Sequence, residues 1–392
     1  MATTASLPAG IPETHPAVAI VAVRKPLQII SVPTEAPGVG EVLVHVLWTS
    51  STPLDLHKAD GGLLVTPGKP TVQGGSLAGT VAALGPEDPT LPDRRQLQVG
   101  DKVFGFAHRS EREAGFQTYL TTSAYMLSKL PPNLTLSQAV AVPTNLITAF
   151  HAITNDLGLA LPWPVPATGW SPPPSVADKP ILVWGAASSV GFYALQVFRH
   201  WGYRNVTAVA SAKHHAELTK LGAAACFDYH SPDVAEQILA AASPEGSAAA
   251  EPRIPFILDC IGSRDGSLRP LTKIAERGSK VAVMLPVIDV HASADVLPEY
   301  EMDMSRVLAG EWDEGVELIG TRTHNFLNNT FFRDYLQTEI VPTLLEQGVI
   351  QPNRLRIVEG KTLLERAQNA LGLLRERAPS GEKLVWRVAD EE

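Results

Sequence analysis

The chain has 392 residues, of which 45% are hydrophobic and 19% charged, and its formal net charge is −9. This is the composition of a globular protein with room for two domains, not of a disordered chain. Basic residues form no dense block and no apolar run is long enough to span a bilayer, so neither nucleic acid nor a membrane is expected as a partner. The two isolated cysteines, Cys226 and Cys260, and the lack of a signal-peptide pattern favour a cytoplasmic location.

The first 140 residues predict a mostly β-structured region, in which Gly, Pro and Asp separate short strand-like runs. The predicted strands are Ala17–Val23, Glu41–Thr49, Gly79–Ala83, Asp101–Phe106 and Phe116–Thr121. From about Leu136 the pattern becomes helical. The seven prolines of Pro162–Pro180 then predict a loop without regular structure.

From Ile181 onward strand-like and helical runs alternate, which predicts an α/β fold with a doubly wound parallel sheet. The strand-like runs are ILVW, VTAVA, CFDY, PFILDCIG and KVAVML. The Ala/Ser/Glu-rich stretch Ala240–Glu251 reads as a surface insertion. After about Gly315 a helix is followed by RIVEG, a second helix and the strand EKLVWRV, and we expect this tail to pair with the N-terminal β region.

The turn between ILVW and its helix, GAASSVG, has most features of a dinucleotide-binding turn. Such a turn needs a tight exit from the strand, close backbone approach to the pyrophosphate, and a small residue where the helix packs on the strand. Gly185–Ala187 can make the exit and Gly191 the packing contact, while Ser188 and Ser189 occupy the approach positions. The strand–turn–helix setting favours a cofactor site over a buried turn without a ligand.

The next strand favours NADPH over NADH. An NAD site usually carries an acid about 20 residues after the turn, which accepts a hydrogen bond from the ribose 2′-hydroxyl. Here VTAVA is followed by Ser211 and Lys213, which suit a 2′-phosphate, and the first acid is Glu217 inside a helix. The alternative is an ordinary helix start with Ser211 as its N-cap.

The order of these segments resembles the medium-chain dehydrogenase/reductase superfamily over nearly the whole chain. The resemblance rests on AVAVPTNLITAFHAI, GAASSVG, SAKHHAELTKLGA and LDCIGS. The stretch TPLDLHKADGG at 52–62 resembles the NPxD segment of zinc-independent quinone and enoyl reductases, including fungal trans-acting enoyl reductases that serve polyketide synthases. The resemblance to this superfamily implies a GroES-like β-rich catalytic domain at 1–145 and 316–392, a Rossmann NADP-binding domain at 146–315, and an active site in the cleft between them.

Zinc-containing members of this superfamily place a cysteine after the second strand and a GHE motif before a bend. This chain has Thr49–Ser51 and Gly74–Ser76 in those places, and none of these side chains is a competent zinc ligand. No metal is therefore expected. Reduction of an activated C=C bond or a quinone then becomes the favoured chemistry, because the substrate's own carbonyl delocalises the developing charge.

The resemblance also implies catalytic residues. His57 lies where related reductases carry a Tyr or Lys near the nicotinamide, with Lys58 as the candidate if the alignment shifts by one, and a surface histidine as the alternative. Asn145 and Thr148 match the segment that approaches the nicotinamide ring, although Thr148 could instead bond its own helix backbone.

The predicted cofactor-binding residues follow the strand ends and the NPxD-like segment. Asp55 could instead cap a short helix, and Tyr229 could instead be a core or edge residue. Cys260 is expected to be a small buried residue near the cofactor rather than a nucleophile. The set comprises Pro53, Leu54, Asp55, Gly185, Ala186, Ala187, Ser188, Ser189, Val190, Gly191, Ser211, Lys213, His214, Tyr229, Cys260, Ile261, Leu285, Pro286 and Val287.

Together these features predict an NADPH-dependent, metal-independent reductase of an enoyl, enone or quinone substrate. The resemblance implies two forms of this function, a trans-acting enoyl reductase of secondary metabolism or a generic quinone or enone reductase. The substrate would be a small molecule or an acyl thioester, free or carrier-bound on a polyketide synthase, and the protein a monomer or homodimer. The alternative is a non-catalytic NADPH-binding or regulatory protein on the same fold.

Overall fold

The computed structural model describes residues 7–89, 96–165, 170–242 and 251–390, and these form two compact units. The first unit comprises residues 1–144, 292–297 and 326–392, and the second comprises residues 145–291 and 298–325. Within the described ranges, no helix has both the length and the apolar character needed to cross a bilayer. Strands and helices are numbered along the chain.

The first unit is mostly antiparallel β-structure. Its larger sheet has the strand order β17-β18-β3-β5-β6-β8 with β7 also paired to β3, and its smaller sheet has the order β2-β1-β4. The strands are β1 (Thr14–Ile20), β2 (Gln28–Pro33), β3 (Glu41–Ser50), β4 (Thr71–Val72), β5 (Ser76–Leu84), β6 (Lys102–Phe106), β7 (Tyr119–Ser123), β8 (Leu127–Lys129), β17 (Leu355–Ile357) and β18 (Lys383–Arg387).

Alternating side chains of these strands build the core of the first unit. Val42, Val44 and Val46 of β3 share one buried cluster with Trp386 of β18, as expected where every second residue of a strand faces inward. The expected return of the tail is observed, since Val385 and Trp386 pair antiparallel with Ser50 and Thr49. The helices of this unit are α1 (Pro53–Gly61), α2 (Leu136–Ala139), α9 (Thr330–Tyr335), α10 (Val341–Glu346) and α11 (Leu363–Arg375).

The second unit contains the predicted doubly wound sheet. Its strands are β9 (Ile181–Trp184), β10 (Val206–Val209), β11 (Ala225–Phe227), β12 (Phe256–Asp259), β13 (Lys280–Met284) and β16 (Glu317–Thr321), with the antiparallel pair β14 (Val287–Val290) and β15 (Glu299–Glu301) beside them. The parallel strands lie in the order β11-β10-β9-β12-β13-β16, which is the 3-2-1-4-5-6 order of a Rossmann sheet. All of β9 is buried, as expected for a central strand covered on both faces.

Helices lie between the strands of this second unit. The first is α3 (Pro143–His151), which belongs to this unit from Asn145 onward. The others are α4 (Pro174–Ala177), α5 (Ser189–His200), α6 (His215–Leu221), α7 (Val234–Ala242) and α8 (Arg269–Thr272). The short helix α4 corrects the prediction that Pro162–Pro180 lacks regular structure. It begins at Pro174, where a proline is tolerated because the first helical N–H has no partner within the helix.

The unit boundaries differ from the predicted ones by one residue at Asn145, which belongs to the second unit, and in two longer segments. Residues 316–325 belong to the second unit, because β16 pairs in parallel with β13. Residues 292–297 belong to the first unit, where Arg24 donates to the carbonyls of Ser293 and Ala294 at 3.1 and 2.6 Å. Most of the predicted insertion Ala240–Glu251 lies outside the described residues.

Candidate active site

The turn after β9 has the close packing that a dinucleotide site requires. Gly185 has a φ of +74°, and a Cβ placed on it would lie 2.5 Å from the Ile261 side chain. A Cβ on Gly191 would lie 2.6 Å from the Ala186 Cα, so the first turn of α5 rests directly on the strand exit. Gly185 and Gly191 therefore meet the two demands assigned to them from the sequence.

Both serines of the turn lie at the start of helix α5. The Ser188 hydroxyl accepts from the Gly191 N–H at 3.2 Å and so caps α5. Ser189 is the first residue of α5, and Ala187 and Val190 lie in the same turn. The N-terminus of this helix of 12 residues is the kind of positive dipole end that stabilises a phosphate.

Two further loops meet at the carboxyl edge of the sheet. Gly262, with a φ of +64°, approaches the strand exit of β13 so closely that a Cβ would lie 2.3 Å from the Met284 carbonyl oxygen. The Ile288 N–H donates to the Gly262 carbonyl at 2.6 Å, which joins the predicted segments Cys260–Ile261 and Leu285–Val287. Pro286 and Val287 are buried, whereas Ile261 is partly exposed at this edge.

A buried carboxylate that the sequence reading missed holds the first of these loops. Asp259 accepts from the Ile261 and Gly262 N–H groups at 3.0 and 3.1 Å and from the Ser267 hydroxyl at 2.8 Å. Burial raises the pKa of Asp259 to about 6, although these three donors oppose that rise. The feature of the sequence that could have identified Asp259 is its position at the end of a buried strand, one residue before Cys260.

Cys260 is buried, and burial raises the pKa of its thiol well above the usual range. The neighbouring Asp259 adds to this rise, while a hydrogen bond with the Ser188 side chain opposes it. A thiol held in its protonated form is a poor nucleophile, in keeping with the passive role expected of it.

At the end of β10, the residues predicted to meet the adenosine half lie at the surface. Ser211 and His214 are half-buried, Lys213 is exposed and Tyr229 is 46% exposed, so Tyr229 is not a core residue. Ser211 stands at the N-cap position of a 3₁₀ turn without a capping hydrogen bond from its side chain. The Asp228 carboxylate takes that role by accepting from the Ala212 N–H at 3.2 Å.

Asp228 is therefore an acid near the Ser211–Lys213 turn, although it lies beyond Glu217 in the chain and outside the usual spacing of an NAD site. Asp228 directly follows β11, so its approach to this turn depends on strand order rather than on sequence spacing. The His230 backbone N–H and side chain hold the pKa of Asp228 below its usual range.

Helix α3 presents Asn145 and Thr148 one helical turn apart. The Thr148 hydroxyl lies 2.8 Å from that of Thr323, so it contacts a neighbouring segment and not simply its own helix. In the same helix burial lowers the pKa of His151, whose ring lies 3.9 Å from the Asp156 carboxylate. Thr321 donates to Asp156 at 2.7 Å, so a polar cluster that sequence reading missed supports this helix.

In the first unit, helix α1 carries the remaining predicted residues. Pro53 and Leu54 are exposed, and His57 and Lys58 are half-buried on adjacent positions. Asp55 is buried, and its carboxylate accepts from the Thr52 N–H at 2.7 Å, which is the capping role named above as its alternative. Burial raises the pKa of Asp55, against the effects of that N–H and of Lys58.

The two segments compared with zinc-binding positions lie side by side. Ser50 and Ser76 are directly opposite in the β3–β5 ladder, and Thr49 donates to the Ser76 carbonyl at 2.6 Å. The Ser76 hydroxyl lies 2.5 Å from that of Thr144, and the buried Ser50 hydroxyl has no hydrogen-bond partner among the described residues. Hydroxyl groups thus cluster here, and the described parts of the chain contain no group of three or more His, Cys, Asp or Glu suited to a metal ion.

Comparison with known proteins identifies the family. Residues 38–132 match the alcohol dehydrogenase GroES-like domain. The trans-enoyl reductase tazE of Aspergillus terreus is 35% identical over 227 residues, which are 56% of this chain and 70% of that one. The chain belongs to the medium-chain dehydrogenase/reductase superfamily, in its enoyl and quinone reductase branch.

Other members of this superfamily match more of the chain at lower identity. The lovastatin nonaketide synthase enoyl reductase component lovC, of Aspergillus terreus, is 26% identical over 323 residues, covering 80% of this chain and 81% of lovC. The crystal structure of the CurK enoyl reductase superposes with a TM-score of 0.67 at 16% identity, over 95% of this chain and 99% of that one. This last likeness concerns the fold, a GroES-like unit and a Rossmann-like unit.

As an oxidoreductase of this superfamily, the protein is expected to use a nicotinamide cofactor, and the second unit fits one. Gly185 and Gly191 leave space that a Cβ would fill, so backbone can approach a pyrophosphate. The residues that would hold it are the 185–191 turn, the loops after β12 and β13, and the 211–214 turn.

Proposed function

We propose that the protein is an NADPH-dependent reductase that needs no metal and reduces the activated C=C bond of an enone or acyl thioester, or a quinone. The observation that carries the proposal is the hydroxyl cluster of Ser50, Ser76 and Thr144. Hydroxyl donors are weak ligands for zinc but good hydrogen-bond donors to an oxygen that gains negative charge.

The proposed chemistry divides between the cofactor and the chain. A bound nicotinamide supplies the hydride. His57, or Lys58 beside it, donates a hydrogen bond or proton as charge develops on the substrate carbonyl. Thr148 and Asn145 orient the carboxamide of the cofactor or the substrate carbonyl, and the Thr323 hydroxyl, 2.8 Å from that of Thr148, is a further hydrogen-bonding group beside it.

The choice of NADPH over NADH is part of the proposal. Ser211 and Lys213 are exposed or half-exposed at the end of β10 and are suited to a 2′-phosphate. The neighbouring Asp228 carboxylate already accepts hydrogen bonds from Ala212 and His230, which reduces its repulsion of a phosphate without removing it.

We further propose that the acceptor is an acyl thioester, presented on a carrier. The support is the family itself, because lovC is by name the enoyl reductase component of the lovastatin nonaketide synthase. An α,β-unsaturated thioester also meets the chemical requirement, since its carbonyl delocalises the charge that follows hydride addition.

Substitutions at the proposed catalytic residues test the function. In His57→Phe we expect kcat to fall about 10²-fold, the range for loss of a general acid. In Thr148→Val we expect a loss on the order of tenfold, because one neutral hydrogen bond is removed. Steady-state NADPH oxidation gives kcat, and titration calorimetry checks that the Kd for NADPH changes less than about threefold, below the effect of one good hydrogen bond.

Matched controls lie in the second unit. His200→Phe removes another half-buried histidine, and Thr154→Val removes a helical threonine whose hydroxyl donates to the Phe150 carbonyl at 2.7 Å. Neither control should change kcat appreciably. Wild-type turnover in both His57→Phe and Thr148→Val would contradict the site assignment.

A further inference from the structure

The C-terminal segment formed by α11 and β18 contacts both ends of helix α1. At the helix start, the Ser51 N–H donates to the Leu384 carbonyl at 3.0 Å, and the Trp386 indole N–H donates to the Ser51 hydroxyl at 3.0 Å. Ser51 immediately precedes the N-cap Thr52. These two bonds fix where the chain leaves β3 and therefore where the helix begins.

In the first turn of α1, an electrostatic interaction between two buried groups of opposite charge is the second link to the C-terminal segment. Asp55 and Lys383 are 6% and 4% exposed, and each affects the ionisation of the other. Burial lowers the pKa of Lys383 to about 8, although the charge of Asp55 opposes that fall. Because burying both charges costs desolvation, such a pair adds little net stability.

In the last turn of α1, an ion pair forms the third contact. Arg375 donates from Nε and Nη2 to the two carboxylate oxygens of Asp60, each at 2.7 Å. The Asp60 side chain is 1% exposed and that of Arg375 is 26% exposed. A two-pronged bond of this kind fixes both the position and the rotation of the residue that accepts it.

The anchored face of α1 is opposite the face that carries the candidate catalytic residues. Asp55, Leu56, Ala59 and Asp60 are buried, and Leu56 and Ala59 share a core cluster with α11. His57 and Lys58 fall between these positions along the chain and are only half-buried. With 3.6 residues per turn, fixing one face fixes the direction of the other.

We infer that the C-terminal segment, through Arg375 and the bonds of β18 to Ser51, is a positioning device for His57 and Lys58, holding helix α1 in the orientation that reduction requires. The inference rests on the proposed function. Arg375, Lys383 and Asp60 do not act on the substrate themselves. Displacement of a catalytic group by about 1 Å from a distance can lower the rate roughly 10²-fold.

The Asp60–Arg375 bond can be compared with a matched bond elsewhere in the same unit. Glu113 is also 1% exposed and is bound by the partly exposed Arg109, with an Nε–Oε1 distance of 2.9 Å. Glu113→Gln therefore removes a similarly buried charge from a similar arginine without touching α1. Arg375→Gln provides a second variant in case Asp60→Asn does not fold, and Arg375→Lys retains the charge.

The experiment measures kcat, the KM for NADPH, the melting temperature and hydrogen exchange of the peptide spanning residues 53–62. For Asp60→Asn and Arg375→Gln we expect faster exchange of that peptide, a loss of kcat of about tenfold or more, and a KM for NADPH within about twofold of wild type. Arg375→Lys should recover part of the kcat. Glu113→Gln should lower the melting temperature while leaving kcat and the exchange of α1 unchanged.

Two results would overturn the inference while leaving the proposed function in place. One is a wild-type kcat in Asp60→Asn or Arg375→Gln, and the other is an equal loss of kcat in Glu113→Gln. A wild-type protein that binds NADPH but reduces no acceptor overturns the proposed function and, with it, the inference.

Discussion

Asp259 illustrates how much one buried carboxylate contributes at the carboxyl edge of the sheet. Its three hydrogen bonds hold the loop that begins with Cys260, and the loop in turn packs Ile261 against Gly185. The carboxylate is fully buried, and within the described part of the chain it accepts hydrogen bonds from uncharged N–H and O–H donors. Ionisation of this group is thus opposed by burial.

The raised pKa of Asp259 predicts a specific pH dependence of stability. Because the folded-state value of about 6 exceeds the usual 3.8, the contribution of this group is fully present below 3.8 and is lost as pH rises through 6. Between about pH 5 and pH 8, the free energy of unfolding should fall by about 1 kcal/mol relative to Asp259→Asn. Urea denaturation at several pH values measures this difference.

Asp303→Asn is the control for that experiment. The Ser305 side chain and N–H hold the pKa of Asp303 below its usual range, so this variant should track wild type above pH 5. A flat difference between wild type and Asp259→Asn would show that Asp259 does not titrate in this range.

At the scale of single residues, the sequence predicted roles that depend on local geometry. Gly185, Gly191 and the small buried Cys260 follow from the turn and the strand ends, and the helix cap at Asp55 from its position in TPLD. Asp259 was missed although its partners Ile261, Gly262 and Ser267 follow it closely in the chain. Asp228 and Lys383 were missed because the residues they interact with belong to other elements of the fold. Only strand order and pairing bring such side chains to the site.

At the scale of elements, the contact between the turn and α5 can be tested by adding one methyl group. A Cβ on Gly191 would meet the Ala186 Cα at 2.6 Å and the Gly185 carbonyl oxygen at 2.7 Å, so backbone must move. We expect Gly191→Ala to lower the free energy of unfolding by about 1–3 kcal/mol and to weaken NADPH binding. Thermal denaturation and calorimetry with NADPH measure the two effects.

Gly372 of α11 offers the matched control, because nothing lies within 4 Å of a Cβ placed there. Gly372→Ala should raise the free energy of unfolding by about 0.5–1 kcal/mol, since alanine favours a helix interior. Equal stability of Gly191→Ala and wild type would mean that α5 does not pack on the strand exit as closely as described.

The sequence predicted the type of each secondary-structure element better than the residues at which the element begins and ends. The alternation after Ile181 identifies β9, β10, β12 and β13, because buried parallel strands are nearly continuous apolar runs. The strand β16, with the sequence ELIGT, was not predicted, because it is short and contains a glycine. The boundary of the Rossmann domain was therefore predicted before this strand instead of after it. Pairing with β13, a property of the folded sheet, assigns it to the second unit.

At the scale of the whole molecule, the order of segments along the chain indicated the superfamily before any geometry was considered. The return of the tail was also predictable, since EKLVWRV reads as a strand after a helix. The residues of α1 that this C-terminal segment meets were not predictable, because Lys383 and Arg375 interact with residues more than 300 positions away in the chain. The proposed positioning role therefore depends on long-range structure.

The most direct test of the proposed function is NADPH oxidation by the purified protein with three acceptors: a simple quinone, a small enone and an α,β-unsaturated acyl thioester, each with NADH as the control. We predict turnover of the thioester with NADPH, and much slower turnover with NADH. Turnover of none of the three acceptors, despite tight binding of NADPH, would contradict the proposal that this protein is a reductase of activated double bonds or quinones.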